Sequence, residues 1–309
     1  MSAPEFSVFE REKILRRLRT ETFDLLVIGG GITGAGIALD AASRGLKTAL
    51  VEKNDFAFGT SSRSTKLIHG GLRYLKQLEF GLVREVGSER AVVHSLAPHL
   101  VIAEKMLLPL SGKKGLGYWL TSIGLRVYDY LAGVKPEDQR QMLTRTQTLR
   151  FEPLLKTDEV NGGAIYAEYR TDDARLTIEI IKAAVAKGAC ILNYAKVNDF
   201  IYQKELISGA SVTDYLTNES FIIEAKVVVS AAGPWVDQIR EINNSKTGKR
   251  LHLTKGVHIV VPHEKLPVRQ AIYFDVDDGR MIFSIPRGRI TYIGTTDTTY
   301  TGELDHVVA

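Results

Sequence analysis

The chain has 309 residues, of which 44% are hydrophobic and 25% are charged, and its formal net charge is +4. This composition is typical of a globular protein with a sizeable core, and the length allows one large domain or two. The small net charge and the lack of a long basic tract argue against nucleic acid as a partner. The single cysteine, Cys190, and the seven scattered histidines form neither a disulfide framework nor a metal-binding pattern.

The N-terminal segment and one later stretch bear on cellular location. No apolar run is long enough to cross a bilayer, and the N-terminus lacks the apolar core of a secretory signal. We therefore expect a cytoplasmic protein. Residues 6–19 predict a basic amphipathic helix, assigned as an N-terminal segment 1–22. Residues 113–130 combine lysine, tryptophan and tyrosine with an apolar face, which leaves open peripheral attachment to the inner face of the membrane. The alternative for both stretches is a helix packed on the core.

A glycine-rich turn follows the first predicted strand. The apolar run 25–28 predicts a buried parallel strand, and the reversal after it needs Gly29. Gly31 would let a pyrophosphate approach the backbone, and Gly34 would let the next helix pack against the strand. Glu52 closes the second strand at the spacing of a carboxylate that binds a ribose hydroxyl. The pattern predicts a bound dinucleotide and leaves NAD and FAD open, with a βαβ unit without a ligand as the alternative.

Further along the chain, predicted helices and strands alternate. The predicted helical segments are 66–102 with interruptions, 103–150 with a break at 111–117, and 173–187, which ends at Gly188. The predicted strands are 162–166, 190–197, several within 199–229 with turns at Gly209 and 217–218, and then 256–261, 271–275, 281–285 and 289–294. This order predicts a mixed α/β fold, with α+β character, in which a parallel nucleotide-binding sheet is interleaved with an antiparallel one.

A second strand end also has the composition of a ligand site. The run VVVSAAGPW at 227–235 predicts a buried strand that ends in small residues, Ala232 and Gly233. Such an end lets the backbone approach a ligand closely. A hydrophobic strand with a glycine end is also common in any α/β protein. Together with the first glycine motif, this feature favours FAD over NAD.

Five stretches make the chain similar to a known family. They are TSSRSTKLIHGGLRYL at 60–75, DDARL at 172–176, AAGPWVD at 231–237, KGVHIVVP at 255–262 and IGTTDT at 293–298. In this order they resemble the FAD-dependent, aerobic-type glycerol-3-phosphate dehydrogenases, within the D-amino-acid-oxidase-like flavoproteins. The resemblance implies a doubly wound, Rossmann-like FAD-binding domain and an antiparallel-sheet substrate domain. We assign residues 23–102 and 151–235 to the first domain, and 103–150 and 236–309 to the second.

The resemblance implies cofactor-binding roles for individual residues. It assigns the pyrophosphate to Gly29, Gly31 and Gly34, and the adenosine ribose to Glu52. The further cofactor residues it implies are Thr60, Ser61, Ser64 and Lys66 around the flavin and its phosphates, Val197 at the adenine, and Ala232 and Gly233 on the second strand end. From the residues alone, the alternatives are a solvated turn for the serine-rich loop and a plain core valine for Val197, at the end of its predicted strand.

Oxidation of a secondary alcohol needs a base for the hydroxyl proton and an acceptor for the hydride, which the flavin supplies. His69 and His258 are the candidate bases, because histidine titrates near neutral pH. For either, the alternative is a buried hydrogen-bonding residue. The resemblance assigns Arg73 and Tyr74 to the substrate phosphate, which a guanidinium can bind through two parallel hydrogen bonds. No metal site is expected.

The function that the resemblance implies is oxidation of sn-glycerol 3-phosphate to dihydroxyacetone phosphate, with hydride transfer to flavin N5 and electrons passed to a quinone. One alternative is an oxidase that uses oxygen and makes peroxide. Family members usually continue well past IGTTDT with further phosphate-binding residues and a helical C-terminal domain. We expect this chain to lack that part, so the other alternative is a non-catalytic flavin-binding fragment. A homodimer is left open.

Overall fold

The computed structural model describes residues 6–68, 79–111, 118–131, 139–276 and 280–308. The chain forms two compact units. Unit 1 comprises Met1–Ser64, Asp172–Leu253 and Thr301–Val308, and unit 2 comprises Thr65–Thr171 and Thr254–Tyr300. Each unit is therefore built from segments that are far apart in the sequence.

Helices and strands alternate along the described residues. The helices, in chain order, are α1 Arg11–Thr20, α2 Ile32–Ser43, α3 Phe80–Leu96, α4 Tyr118–Leu131, α5 Arg145–Phe151, α6 Asp173–Ala186 and α7 Val236–Ile242. The strands are β1 Thr22–Ile28, β2 Thr48–Val51, β3 Leu67–Ile68, β4 Val101–Ser111, β5 Gln141–Thr144, β6 Val160–Thr171, β7 Cys190–Leu192, β8 Ala195–Gln203, β9 Leu206–Asp214, β10 Ser220–Ser230, β11 Thr254–Lys255, β12 Ile259–Pro262, β13 Ala271–Asp275, β14 Met281–Arg287, β15 Ile290–Gly294 and β16 Thr298–Thr299.

Within the described residues, unit 1 is organised around a six-stranded sheet with the order β7-β2-β1-β10-β9-β8. The first four strands run parallel, and β9 and β8 continue the sheet in antiparallel pairing. Ile28, at the end of β1, lies opposite Val51 of β2 on one side and Ser230 of β10 on the other. The carboxyl ends of three parallel strands therefore meet at one edge. The chain continues from β1 to β2 and β7 on one side, whereas β10 lies on the other, which makes this edge a topological switch point.

Helices cover the unit 1 sheet through small or leucine-rich faces. One buried cluster joins Ala35 and Ala38 of α2 to Ile181 and Ala184 of α6. The predicted N-terminal amphipathic helix is present as α1, and its Leu18 is fully buried in a second cluster. Burial of one such leucine is worth about 1.5–3 kcal/mol relative to leaving it exposed. Packing on the core therefore accounts for the apolar face of α1.

Unit 2 contains an eight-stranded sheet among the described residues. Its order is β12-β15-β14-β13-β4-β6-β3, and β5 also pairs with β6. The longest pairing is antiparallel, between β4 and β6. A buried cluster that includes Met106, Tyr166, Ile285 and Tyr292 packs on this sheet together with Leu125 of α4. The antiparallel sheet predicted from the sequence is thus present, and the fold class is mixed α/β.

Several predicted elements are wrong, and residues 141–144 form the strand β5 inside the predicted helical segment 103–150. Residues 101–111 form β4 rather than the predicted helix, because pairing with β6 along the whole strand outweighs a weak apolar periodicity. The predicted strand 190–197 is interrupted at Tyr194, whose φ is +53°. Gly209 is not a turn residue, since it lies within β9, where a Cβ atom would come 2.2 Å from the carbonyl oxygen of Ile223. The chain reverses instead at residues 204–205, between β8 and β9.

The boundaries of the two compact units differ from the predicted domain boundaries. Among the described residues, 65–68, 79–102 and 151–171, predicted to belong to the nucleotide-binding domain, lie in unit 2. The physical reason is strand pairing, because β6 pairs with β3, β4 and β5. The roles of the two units in binding stay a prediction. Within the described part of the chain, no helix is long and apolar enough to cross a membrane.

Candidate functional site

The reversal after β1 requires glycine for two reasons. Gly29 has a φ of +112°, a conformation that side chains with a Cβ atom rarely adopt. A Cβ atom at this position would also lie 2.5 Å from the carbonyl oxygen of Ala231, just after β10. The turn therefore brings the backbone of two neighbouring strand ends into direct contact. This is the reversal that the sequence predicted.

The two later glycines of the motif bring α2 close to the turn. A Cβ atom at Gly34 would lie 1.9 Å from the carbonyl oxygen of Gly29, so the first turn of α2 packs on the backbone of the reversal. Gly31 is the residue immediately before α2, and a Cβ atom there would lie 3.1 Å from Ser61 Oγ. The close helix packing predicted for Gly34 is present. At Gly31, the space that a side chain would take adjoins the predicted serine-rich loop.

Ser61 reaches the N-terminus of α2. Its Oγ accepts a hydrogen bond from the backbone N–H of Ile32 at 2.8 Å. The first N–H groups of a helix have no acceptor within the helix, and they carry a partial positive charge. Ser61 is held there by the short 3-10 turn Thr60–Ser62, in which Thr60 is exposed. The start of α2 and its serine neighbour together form a site suited to an anion.

Glu52 is fixed by backbone donors on both sides. Its Oε2 accepts from Gly30 N at 2.7 Å, and its Oε1 accepts from Asn54 N at 2.8 Å. The side chain is half-buried. Each carboxylate oxygen keeps a further lone pair, so the group can still accept a hydrogen bond from a hydroxyl. The structure thus holds the carboxylate in one place beside the glycine turn.

The second predicted strand end lies against the first. The N–H of Ala231 donates to the carbonyl of Ile28 at 2.8 Å, and the Cα of Ala232 would lie 3.3 Å from a Cβ atom at Gly29. Gly233 follows with a φ of +51° and opens the 3-10 turn Gly233–Trp235. Unit 1 therefore brings together the three motif glycines, Glu52, Ser61 and Ala232.

Trp235 is a site neighbour that the sequence did not assign. Lys53 Nζ lies 4.3 Å from the centre of its ring and 2.6 Å from Asp305 Oδ1. A Cβ atom at Gly59 would lie 3.0 Å from the ring, so the tryptophan supports the start of the serine-rich loop. Its Nε1 is buried, and no described residue accepts a hydrogen bond from it. The residue lies inside the quoted stretch AAGPWVD, which was the available signal.

Two other predicted cofactor residues have protein partners of their own. Ser64 Oγ donates to Asp173 Oδ2 at 2.7 Å, at the start of α6. Val197 does not end a strand, because it is the third residue of β8 and pairs with Val212 of β9. The strand continues because that pairing extends to the last residue of β8. The valine side chain is buried in the core of unit 1, so only its backbone could contact a ligand.

Unit 2 contains the candidate base His258, just before β12. Its Nε2 lies 3.2 Å from Thr65 Oγ1, and its ring packs on Gly294, where a Cβ atom would come 2.4 Å from Cδ2. Burial, and secondarily the charge of Lys66, hold the pKa of His258 below its ordinary value of 6.5. A histidine with a lowered pKa is neutral at pH 7 and can accept a proton. Lys66 itself has a φ of +59°.

Thr65 and Tyr292 complete this cluster, and the sequence did not predict them as site residues. The hydroxyl of Tyr292 donates to the carbonyl of Thr65 at 2.9 Å, and the Tyr292 and His258 ring centres are 5.8 Å apart. Burial raises the pKa of Tyr292 above its ordinary value. Thr65 lies within the quoted stretch 60–75, and Tyr292 immediately precedes IGTTDT. Only the fold reveals that the two residues meet.

The remaining predicted residues are His69, Arg73 and Tyr74, which lie outside the described residues. Their assignments therefore stay predictions. Over the ranges that the structure describes, no group of three or more histidine, cysteine, aspartate or glutamate side chains could hold a metal ion.

Comparison with known proteins places the site in context. The chain is 55% identical to the aerobic glycerol-3-phosphate dehydrogenase of Bacillus subtilis strain 168 over 98% of its own length and 54% of that relative. It is 56% identical to the enzyme of the same name from Staphylococcus aureus strain MRSA252, over 95% of this chain and 53% of that one. The chain thus spans about half the length of the curated relatives it matches.

The folded chain also matches a solved structure and a family model. The structure is the glycerol-3-phosphate dehydrogenase of Bacillus halodurans complexed with FAD, with 50% identity, a TM-score of 0.82, and coverage of 98% of this chain and 53% of that chain. The model described as FAD dependent oxidoreductase matches residues 24–308. From β1 to the last described residue, the chain belongs to the FAD dependent oxidoreductase family.

Proposed function

We propose that this chain binds FAD and carries the residues that oxidise sn-glycerol 3-phosphate to dihydroxyacetone phosphate. The observation that carries the proposal is the 55% identity, over 98% of the chain, to a relative named aerobic glycerol-3-phosphate dehydrogenase. Because the chain spans 54% of that relative, the activity of the whole protein is itself part of the proposal.

The residues of unit 1 fit FAD. Gly29 and Gly34 let the strand ends and α2 pack closely at the turn, and the N-terminus of α2 favours the negative charge of a pyrophosphate. Glu52 presents acceptor oxygens for a ribose hydroxyl. The buried Trp235 Nε1, for which no described residue is an acceptor, is a donor that a bound ligand or an ordered water could satisfy. When bound, FAD supplies the acceptor for the hydride.

Residues of unit 2 supply the proton chemistry in this proposal. His258 is neutral at pH 7 because its pKa is lowered by burial and by Lys66, so it can take up the proton of the substrate hydroxyl. Arg73 and Tyr74 bind the substrate phosphate, and His69 is the second candidate base. These three residues rest on the sequence alone.

Further parts of the proposal concern partners and location. We propose a quinone as the electron acceptor, a cytoplasmic location with peripheral association at the inner face of the membrane, and a homodimer. The word aerobic in the names of the relatives fits both a respiratory acceptor and oxygen itself. Oxygen as the direct acceptor is the competing option, and it would produce one peroxide for each substrate oxidised.

An anaerobic spectrum tests the function. The 309-residue chain, reconstituted with FAD, should lose its flavin absorbance when sn-glycerol 3-phosphate is added, and glycerol, which lacks the phosphate, should leave the absorbance unchanged. Bound flavin that is not reduced by the phosphorylated substrate would contradict the proposed oxidation by this chain. Stoichiometric peroxide after admission of oxygen, with no faster turnover on a quinone, would contradict the proposed acceptor.

A further inference from the structure

We infer that Thr65 and Tyr292 are positioning residues for His258: Thr65 Oγ1 accepts a hydrogen bond from His258 Nε2–H, and Tyr292 holds Thr65 by its backbone carbonyl. This arrangement fixes which nitrogen of the ring carries the proton. The direction of this hydrogen bond and its consequence for catalysis both rest on the proposed function, whereas the tautomer can be measured without turnover.

The ring of His258 is confined from two sides. A Cβ atom at Gly294 would lie 2.4 Å from Cδ2 and 2.9 Å from Nε2, so one face of the ring rests on backbone. The Tyr292 and His258 rings meet edge-to-face, with an interplanar angle of 65°. These contacts leave little room for ring rotation. Nε2 lies 3.2 Å from Thr65 Oγ1, so among the described residues this is the ring nitrogen that a protein group engages.

Proton acceptance decides the direction of that hydrogen bond. A neutral histidine has one N–H donor and one acceptor nitrogen, and a base must keep its acceptor nitrogen for the substrate. If Nε2 donates to Thr65, then Nδ1 is the acceptor. The hydroxyl of threonine can accept through its lone pairs. A hydrogen bond at one ring nitrogen thereby selects the tautomer.

Tyr292 provides a rigid support for Thr65. Its hydroxyl donates to the Thr65 carbonyl at 2.9 Å, and its ring is buried in the core cluster of unit 2 with Tyr166 and Ile285. The charge of Arg287 also acts on the Tyr292 hydroxyl and lowers its pKa, against the larger effect of burial. Because Tyr292 is held by the core, the position of Thr65 does not depend on the loop before it.

The charges around the cluster are mostly positive. Lys66 acts on His258, while Arg287, Arg170 and Glu104 act on Tyr292. Glu104 pairs with Arg170 at 2.9 Å, which offsets one of these cations. The field therefore disfavours a proton on His258, and the hydrogen bond to Thr65 is the contact in this cluster that favours the protonated ring.

Nitrogen NMR of labelled histidine tests the inference in the 309-residue chain, with the His258 signals assigned by their loss in His258→Gln. Wild-type His258 should show a protonated Nε2 and an unprotonated Nδ1 above its pKa. Thr65→Val, which removes the hydroxyl, should average the two nitrogens between tautomers and lower the pKa further. Thr65→Ser should restore the wild-type pattern. Tyr292→Phe should act in the same direction as Thr65→Val, to a smaller extent.

The same variants separate this inference from the proposed function. If flavin is reduced, Thr65→Val should slow the reduction about tenfold, a part of the 10²–10⁴ that a positioned base contributes. Tyr202→Phe, an exposed tyrosine of β8, should change neither spectrum nor rate. A fixed Nε2–H tautomer without reduction by substrate would support the positioning role and overturn the proposed function. A protonated Nδ1 in the wild type, or a tautomer unaffected by Thr65→Val, would overturn the inference even if the flavin is reduced.

Discussion

The glycine turn of unit 1 and the histidine cluster of unit 2 are assembled from different materials. The turn consists of backbone atoms from residues close together in the sequence, and the end of one distant strand lies against it. Its shape depends on glycines, which have no Cβ atom. The cluster consists of side chains, with Thr65 separated from His258 by 193 residues and from Tyr292 by 227. A site built from backbone atoms can bind a cofactor that many related proteins share. A site built from side chains that are distant in the sequence can differ in its chemistry from one protein to another.

The largest effect should come from filling the space at the turn. Gly34→Ala places a Cβ atom 1.9 Å from the carbonyl oxygen of Gly29, so the turn or the helix must shift. We expect loss of FAD binding and a fall in the free energy of unfolding of about 3 kcal/mol. Titration with FAD and denaturant unfolding measure the two effects.

The control is Gly36→Ala in the same helix, where no described atom lies within 4 Å of an added Cβ atom. Alanine should stabilise α2 there by about 0.5–1 kcal/mol and leave FAD binding intact. Equal losses in both variants would mean that helix packing at the turn is not what Gly34 provides.

The buried thiol of Cys190 reports where FAD binds. Cys190 lies in the unit 1 core, and burial raises its pKa to about 12, so labelling by a thiol reagent requires local opening. FAD at 100 times its dissociation constant should slow labelling about 100-fold, because the opening of the unit 1 core that exposes Cys190 also abolishes the FAD site. The unfolded chain should react equally fast with and without FAD. Unchanged labelling of the folded chain despite bound FAD would contradict binding at unit 1.

A smaller effect is expected at the carboxylate beside the turn. Glu52→Gln keeps the shape but turns an amide NH₂ toward Gly30 N or Asn54 N, both of which donate to the wild-type carboxylate. FAD affinity should fall about 10- to 100-fold, the range for hydrogen bonds to a charged group. Asp40→Asn, in an exposed ion pair with Arg44 of the same region, should leave the affinity unchanged. Similar affinities for Glu52→Gln and wild type would remove Glu52 from the site.

The smallest effect concerns pH and the histidine of unit 2. Because burial and Lys66 lower the folded pKa of His258 below 6.5, the unfolded chain binds more protons between the two pKa values. The contribution of neutral His258 to the free energy of unfolding should therefore be fully present above about pH 6.5. It should be lost as the pH drops through the folded pKa. His258→Asn should flatten this slope, which unfolding curves at several pH values would show. An identical slope in the variant would mean that His258 is not held neutral.

The sequence predicted the glycine turn better than the histidine cluster, because the two regions are built differently. Gly29, Gly34 and Glu52 could be found because strand, turn and helix follow one another, and local sequence carries their geometry. Thr65 and Tyr292 could not be assigned, since their meeting depends on the order of strands in the unit 2 sheet. The wrong helix at 101–111 has the same cause, because only pairing with β6 makes that segment a strand.

Recognition of the pyrophosphate and ribose of a dinucleotide by the glycine turn, Glu52 and the N-terminus of α2 underlies the whole proposal. Equilibrium binding of FAD and of riboflavin, which has the same ring but neither group, to the 309-residue chain tests it without relying on turnover. FAD should bind at least about 100-fold more tightly than riboflavin, because two or more charge-assisted hydrogen bonds distinguish the two ligands. Equal affinities for the two flavins would contradict recognition of these groups.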